Sequence, residues 1–507
     1  MSILRMSDDD RNRYKAKPSV LDALRSPRLL TKEVLAGLVV ALALIPEAIS
    51  FSIIAGVDPR VGLFSSFIMA VSIAFLGGRP AMITAATGAI ALVIAPVARE
   101  YGMDYFLATV ILGGLFQIIL ALLGVAKLMR FIPRSVMVGF VNALAILIFT
   151  AQLPHLVGVP WLMYPLVAAG LLIMIVMPRI TKVIPAPLVS ILLITAVVVT
   201  MALVVPTVGD EGELPQSLPE LLIPSIPLTW ETLRIIAPYA AAMAVVGLLE
   251  SLLTAKLVDE VTDTHSRKTR EAWAQGVANV FSGFFGGMGG CAMIGQTMIN
   301  VKASGARTRI STFFAGVFLL ILVVGLGDWV AMIPMAALVA VMIMVSVATF
   351  DWHSIRPSTL KQMPKSETSV MVSTVVIVVL THNLAIGVIA GVLVAMVLFA
   401  RRVAHFVTVT RTLPEDEQVP TAHYAVNGEL FFASSNDLTT QFDYAEDPER
   451  VIIDMSESHI WDASTVAALD AIVTKYEHHG KRVILVGMNE ETTEFHGRLS
   501  GGLGAAL

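Results

Sequence analysis

Apolar stretches of about twenty residues recur from Val34 to Val403, and each is long enough to cross a hydrocarbon core of ~30 Å. A chain built this way must satisfy its backbone inside helices, because lipid offers no partner for a free N–H or C=O. Only 15% of the 507 residues are charged and 56% are hydrophobic, with a mean hydropathy of +0.78. After Arg411 the chain turns acidic and polar, so a soluble domain of about a hundred residues follows a long polytopic one.

The first thirty residues are charged and carry no short apolar core or small-residue cleavage site, so they read as a cytoplasmic N-terminus. The single cysteine, Cys291, excludes an internal disulfide framework and a Cys-rich metal site. No basic tract resembles a nucleic-acid footprint.

Lys and Arg cluster in every second loop, the pattern of cytoplasmic loops. The basic set includes Lys127, Arg130 and Arg134; Arg179 and Lys182; Arg267, Lys268 and Arg270; Lys302, Arg307 and Arg309; Arg356, Lys361 and Lys365; and Arg401 with Arg402. Basic-poor loops alternate with them: VDPR with Arg60, the stretch at Arg99, the Pro154 to Pro160 turn, the Gly325 to Asp328 turn and Thr381 to Asn383. The long loop from Pro206 to Trp230 holds Asp210, Glu211, Glu213 and Glu220 and no Lys or Arg, so it is expected outside. With both termini inside, this alternation needs seven crossings on each side of that loop, which places the second half upside down relative to the first. The expected fold is therefore an α-helical polytopic membrane protein of fourteen transmembrane segments in two inverted seven-segment repeats, plus a small C-terminal α/β domain. The boundaries are 1–33 for the N-terminus, 34–410 for the membrane domain with repeats near 34–205 and 235–403, and 411–507 for the soluble domain.

Two glutamates break the apolar pattern: Glu47 in LIPEAISFS and Glu250 in GLLESLLTA, strings that can be laid on one another. A carboxyl near the middle of a span costs at least ~2.5 kcal/mol, so it persists where it faces protein or water. A structural carboxyl bonded across helices is the plain alternative. Two segments are interrupted, near Ala81 to Val97 and Gly289 to Lys302, and irregular backbone at that depth must line a cavity or be buried. Thr84, Thr87 and Gly88 at one break, and Gly295, Gln296 and Thr297 at the other, offer hydroxyls, an amide and free backbone N–H groups. If each break starts a half-helix, two positive helix ends make an anion site without arginine. Small residues there also suit close helix packing. The run GFFGGMGG from Gly283 to Gly290 lacks a strand-to-phosphate-loop context and reads as helix contact.

Glu250 and Thr254 lie four apart on one helical face, oxygens that suit a hard cation such as Na⁺, or a carboxyl protonated in part of a cycle. Glu47 follows Pro46, which kinks a helix. A bare carboxylate about 4 Å from a bound anion repels it by roughly 4 kcal/mol at an effective dielectric near 20, so a proton or Na⁺ on the carboxyl couples cation to anion. The leading function is secondary active transport of a small anion, with an anion channel or exchanger on the same scaffold as the alternative. A membrane enzyme finds no support, since the spans hold no paired aspartates, no His-Glu-x-x-His and no serine beside a base. No cofactor beyond the coupling ion is called for.

The strings PEAISFSIIAGVDPRVGLFSSF, TAATGAIALV, ESLLTA and SGARTRIS resemble the SulP anion permease family, relatives of the solute carrier 26 transporters, over nearly the whole chain. Gly56, Pro59, Gly62, Leu63 and Ser65 carry the most specific part. The resemblance implies intertwined repeats split into core and gate, elevator-like movement of the core, a homodimer in the plasma (inner) membrane and an anion such as bicarbonate, sulfate or a dicarboxylate. It places substrate at Thr87, Gly88, Gly295, Gln296 and Thr297. Sodium-coupled members carry an acid and a hydroxyl at the positions of Glu250 and Thr254, typically with aspartate. Proton-coupled members carry a glutamate where Glu47 stands. Thr297 replaces the arginine of animal members.

From His423 the pattern alternates strand and helix and resembles a STAS domain. The resemblance offers a regulatory or dimer-supporting role, including a docking surface for a regulatory protein. Asp462, followed by Ala463, and Ser464 next to it read as N-cap residues of a helix rather than a phosphorylation switch.

Overall fold

The computed structural model describes residues 19–128, 132–180, 185–404, 407–414 and 419–500. Residues 1–18 of the N-terminal segment, Arg130 and Lys182 among the loop cations, and 415–418 and 501–507 of the C-terminal segment lie outside the described residues. The chain divides into two compact units, one through Val392 and one from Leu393.

In the first unit, the half before the acidic loop runs α1 (Pro27–Ala55), α2 (Pro59–Leu76), β1 (Thr84–Ala86), α3 (Gly88–Tyr101), α4 (Met103–Leu122), α5 (Arg134–Gln152), α6 (Met163–Ile180) and α7 (Ala186–Thr200). The half after it runs α8 (Trp230–Thr262), α9 (Lys268–Phe284), β2 (Gly290–Ala292), α10 (Ile294–Met298), α11 (Arg309–Gly325), α12 (Met335–Thr349), α13 (Lys365–Thr381) and α14 (Leu384–Ala404), the last running on into the second unit. The two lists match member by member, each with a short strand and a helix start in third place, as the two interruptions predict. Among the described residues, seven helices are long and apolar enough to cross a membrane by length and composition, and α7, α11 and α12 are shorter apolar helices.

Local chemistry sets the ends. Ser26 caps α1 by accepting from the Leu29 N–H, Pro27 occupies the first turn where its missing N–H is harmless, and Gly56 closes the helix at φ 77°. Thr229 caps α8, whose 33 residues make it about 50 Å long.

The helices sort into two groups. α11 packs on α1 and α2, α9 on α4 and α2, and α8 on α4 and α3, so each half contributes four elements to one group around β1 and β2. α13 packs on α5, α12 on α5 and α6, and α7 on α6 and α12, forming the other.

Several loops gather into two separate clusters. At one end Arg60 pairs with Glu213, Val208 N–H donates to the Ile333 carbonyl and Thr207 bridges Pro334, which gathers VDPR, the acidic loop and the turn after α11. At the other, Arg79 pairs with Asp259 at 2.9 Å, Arg309 donates to the Gly77 carbonyl, and Glu33 accepts from the Arg307 and Thr308 N–H groups.

The second unit holds the sheet β3 (Thr408–Thr412), β4 (Thr421–Leu430), β5 (Arg450–Ile460) and β6 (Arg482–Val486) in that order, with β3–β4 antiparallel and the other pairs parallel. α15 (Phe432–Leu438), α16 (Ala463–His478) and α17 (Glu490–Leu499) complete it. Tyr424, Val426, Val451, Ile453, Leu469 and Tyr476 are among its core. Asp462 caps α16 by accepting from the Thr465 N–H, and its other oxygen accepts from Phe432 N–H. β3 begins ahead of position 411 and was not foreseen.

Candidate functional site

β1 and β2 pair antiparallel with Thr84 opposite Ala292, Ala85 opposite Cys291 and Ala86 opposite Gly290. That pairing crosses the two halves at their corresponding points, as a two-fold relation between inverted repeats demands. The fit is tight: a Cβ on Gly290 would stand 2.1 Å from the Ala85 carbonyl oxygen, so no side chain is admitted there. A Cβ on Gly287 would meet the Ser65 backbone at 2.9 Å, which supports reading the glycine run as close packing.

Each strand delivers the chain to a helix start. Thr87, in extended conformation, precedes α3, and Met293 precedes α10; neither caps its helix with a side chain. The first N–H groups of both helices are therefore left for another acceptor. α10 continues as a π-type winding over Ile299–Ala303. Phe51 lies where a Cβ on Gly88 would be, at 2.8 Å, whereas a Cβ on Gly295 would meet nothing within 4 Å.

Between these starts lies a cavity of about 340 Å³ lined by Glu47, Phe51, Thr87, Gly88, Glu250, Gly295 and Gln296, with Phe140, Leu144 and Ile148 of α5 and Val345, Ala348 and Thr349 from the end of α12 closing it. Its lining contains no Lys or Arg. Both carboxyls are buried, with 7% of Glu47 and 8% of Glu250 exposed. The Gln296 side chain interacts with the Glu47 carboxyl. The Cys291 thiol donates to Glu250 Oε2 at 2.9 Å, and its sulfur is 3.1 Å from Thr87 Oγ1.

Six of the eight residues picked from the sequence thus share one cavity, and two do not. Thr297 is fully buried on the other side of α10, where its hydroxyl accepts from the Ile83 N–H at 3.0 Å and fixes the approach to β1. Thr254 turns its hydroxyl back to the Glu250 carbonyl at 2.8 Å, with the Ala292 carbonyl 3.4 Å away, and Leu253 takes the cavity face instead. Thr84 accepts from the Gln275 amide at 2.9 Å and belongs to the scaffold. Cys291 was missed as a site residue because one cysteine in a glycine-rich run gives no signal until β2 places it beside Glu250.

Buried acids facing uncapped helix starts at the crossing of two inverted helical repeats define a multi-pass membrane transporter. The sulfate permease family model matches residues 30–163 and 161–374, and the STAS domain model matches 412–496. The chain belongs to the sulfate permease family, whose members are anion transporters and not enzymes. "Putative sulfate transporter YbaR" of Bacillus subtilis is 54% identical over 461 residues, spanning 91% of this chain and 95% of that one. The bicarbonate transporter BicA of Picosynechococcus is 25% identical over 517 residues, spanning 92% and 90%. Among solved structures, the transmembrane domain of a cyanobacterial BicA superimposes with a TM-score of 0.63 at 25% identity, covering 73% of this chain and 98% of that one. The murine solute carrier 26 member A9 in its inward-facing state superimposes with a TM-score of 0.80 at 17% identity, covering 100% and 92%, a likeness of fold.

Proposed function

We propose that this protein is a secondary active transporter that moves a small anion, sulfate before bicarbonate or a dicarboxylate, together with protons. The observation that carries this reading is the sharing of one cavity by Glu47, Glu250 and the first turns of α3 and α10, with no basic side chain on its wall. Backbone N–H groups at helix starts attract an anion, while two bare carboxylates repel it, by roughly 4 kcal/mol each at about 4 Å and a dielectric near 20. A proton on each acid removes the repulsion, and a dianion entering with two protons leaves the cavity's charge unchanged. Sulfate is placed first because YbaR, at 54% identity, bears a sulfate-transporter name.

A proton is preferred to Na⁺ because Thr254 keeps its hydroxyl on backbone carbonyls and off the cavity wall, so Glu250 lacks the second hard oxygen the pair was expected to supply. The grouping of helices supports the movement proposed: the group carrying β1, β2 and both acids slides as an elevator against the group of α5 to α7 and α12 to α14. The protein works as a homodimer in the plasma membrane with both termini cytoplasmic. Counterflow uptake of sulfate, bicarbonate and fumarate in proteoliposomes, with and without Na⁺ and at two pH values, tests the reading. Sulfate uptake that rises with an imposed proton gradient and ignores Na⁺ supports it. Current that ignores both gradients would make the protein a channel.

A further inference from the structure

A second cavity, of about 650 Å³, opens at the end of the first unit that gathers the basic loops. Three lysines line it: Lys127 from the short helix Val125–Leu128, Lys256 near the end of α8, and Lys268 at the start of α9, joined by His265 and Ser266 from the connecting loop. The one acid on its wall, Asp259, is already taken, because Arg79 pairs with it at 2.9 Å and the Ser266 hydroxyl donates to its other oxygen at 2.8 Å. Among the described residues, no carboxylate pairs with Lys127, Lys256 or Lys268. Three lysines thus line one concave space without a carboxylate paired to any of them among the described residues. Ala126, Leu252 and Leu253 add apolar lining from the lysine-bearing elements, and Ile132 and Met137 add it from the region where α5 begins.

This space is nearly twice the volume of the anion cavity, and the two adjoin, since Leu253 lines both. A small inorganic anion would leave most of it empty. We propose that it binds an anion carrying more than one phosphate charge, its phosphates on Lys127, Lys256 and Lys268 and the rest of it against α5, and that the bound anion slows transport. The lysines belong to the helix group that holds the acids, and Ile132 and Met137 to the other group. An occupant touching both resists any sliding of one past the other. Basic pockets between membrane helices take phosphate head groups for the same electrostatic reason as soluble phosphates, so both sources share the chemistry.

The slowing rests on the transport reading, whereas binding does not, so the two fail separately. Full-length protein in phosphatidylcholine vesicles is titrated calorimetrically with tripolyphosphate, and sulfate uptake is followed in parallel. Binding weakened at least tenfold in Lys127→Gln/Lys256→Gln/Lys268→Gln, and retained in the corresponding triple Arg variant, is the expected result. Equal binding by wild type and the Gln variant, or displacement of tripolyphosphate by sulfate at equal ionic strength, would overturn it. Replacing part of the lipid by cardiolipin, whose head group carries two phosphates, separates the sources: competition with tripolyphosphate that the Gln variant abolishes assigns the site to a lipid head group, and its absence assigns it to a soluble phosphate. Should the Gln variant fail to fold, loss of binding in the single Lys256→Gln variant carries the test.

Discussion

Cys291, on the second half's strand, donates its thiol to the Glu250 carboxyl at 2.9 Å, and that carboxyl has no other hydrogen-bond donor among the described residues. The same sulfur lies 3.1 Å from the Thr87 hydroxyl, so the strand crossing and the carboxyl are tied to the start of α3. Cys291→Ala removes that donor, a loss on the order of 1 kcal/mol, equivalent to roughly fivefold in anion affinity if Glu250 shifts. Cys291→Ser keeps a donor and is expected to stay within twofold of wild type. Half-saturating sulfate concentrations for the three proteins check this.

The two acids are expected to behave alike under substitution. Glu47→Gln fixes the neutral state, so anion exchange persists while uptake no longer follows an imposed proton gradient. Glu250→Gln is expected to do the same without raising the half-saturating Na⁺ concentration. A steep rise in Na⁺ requirement would return Glu250 to the role of sodium ligand. Paired uptake assays with pH and Na⁺ gradients imposed singly read the difference.

Thr297 now carries a structural expectation. Thr297→Val leaves the Ile83 N–H without its buried acceptor, at a cost of about 1–3 kcal/mol. Thermal stability in detergent is expected to fall while bound anion still protects the protein. By contrast Thr87→Val, on the cavity wall, is expected to weaken anion affinity with little change in stability. Thermal-shift titration with sulfate distinguishes the two.

Gly290→Ala would drive a methyl group into the Ala85 carbonyl at 2.1 Å, and the obstacle is backbone, not a movable side chain. Pairing of β1 with β2 must open, so the expected outcome is loss of monodisperse protein by size-exclusion chromatography. Gly295→Ala, facing open space, is expected to fold and to lose anion affinity.

In the second unit, the buried Asp447 accepts from Arg411, from the Tyr424 hydroxyl at 2.7 Å and from the Tyr476 hydroxyl at 2.5 Å. Burial and the neighbouring carboxylate raise Tyr476 well above the usual phenol range, and burial raises Tyr444 to about 12. A phenol raised in the folded state contributes stability that is present below the unfolded value near 10 and is lost as pH climbs past it. The stability of this domain is therefore expected to decline as pH rises above about 10, measured by chemical denaturation at stepped pH with tyrosinate absorbance followed alongside. Tyr476→Phe should lower its stability by about 1–3 kcal/mol.

What the sequence disclosed and what it withheld divide along physical lines. Glu47, Glu250 and the two interrupted spans were legible because each violates what lipid demands of a helix. The correspondence of the two halves was legible in the likeness of LIPEAISFS to GLLESLLTA and in the interruption that follows each. The facing of Thr254 and Thr297 was not, because a threonine in a helix satisfies itself equally well on its own backbone or on a neighbour's, and only packing decides. TAA and GCA are too short and too small to announce strands, and TVTRT gives β3 only five residues.

The ladder from Thr84–Ala86 to Gly290–Ala292 joins segments about two hundred residues apart, and this bears on synthesis. As the chain leaves the ribosome, β1 and the first turn of α3 enter the bilayer long before their partner exists. Their backbone groups must be sheltered by water or by the insertion machinery until β2 arrives. The ladder is therefore expected to close only after Gly290–Ala292 has been made. Chains cut short of Gly290 carry exposed polar backbone into the lipid, a mark by which membrane proteases would find them.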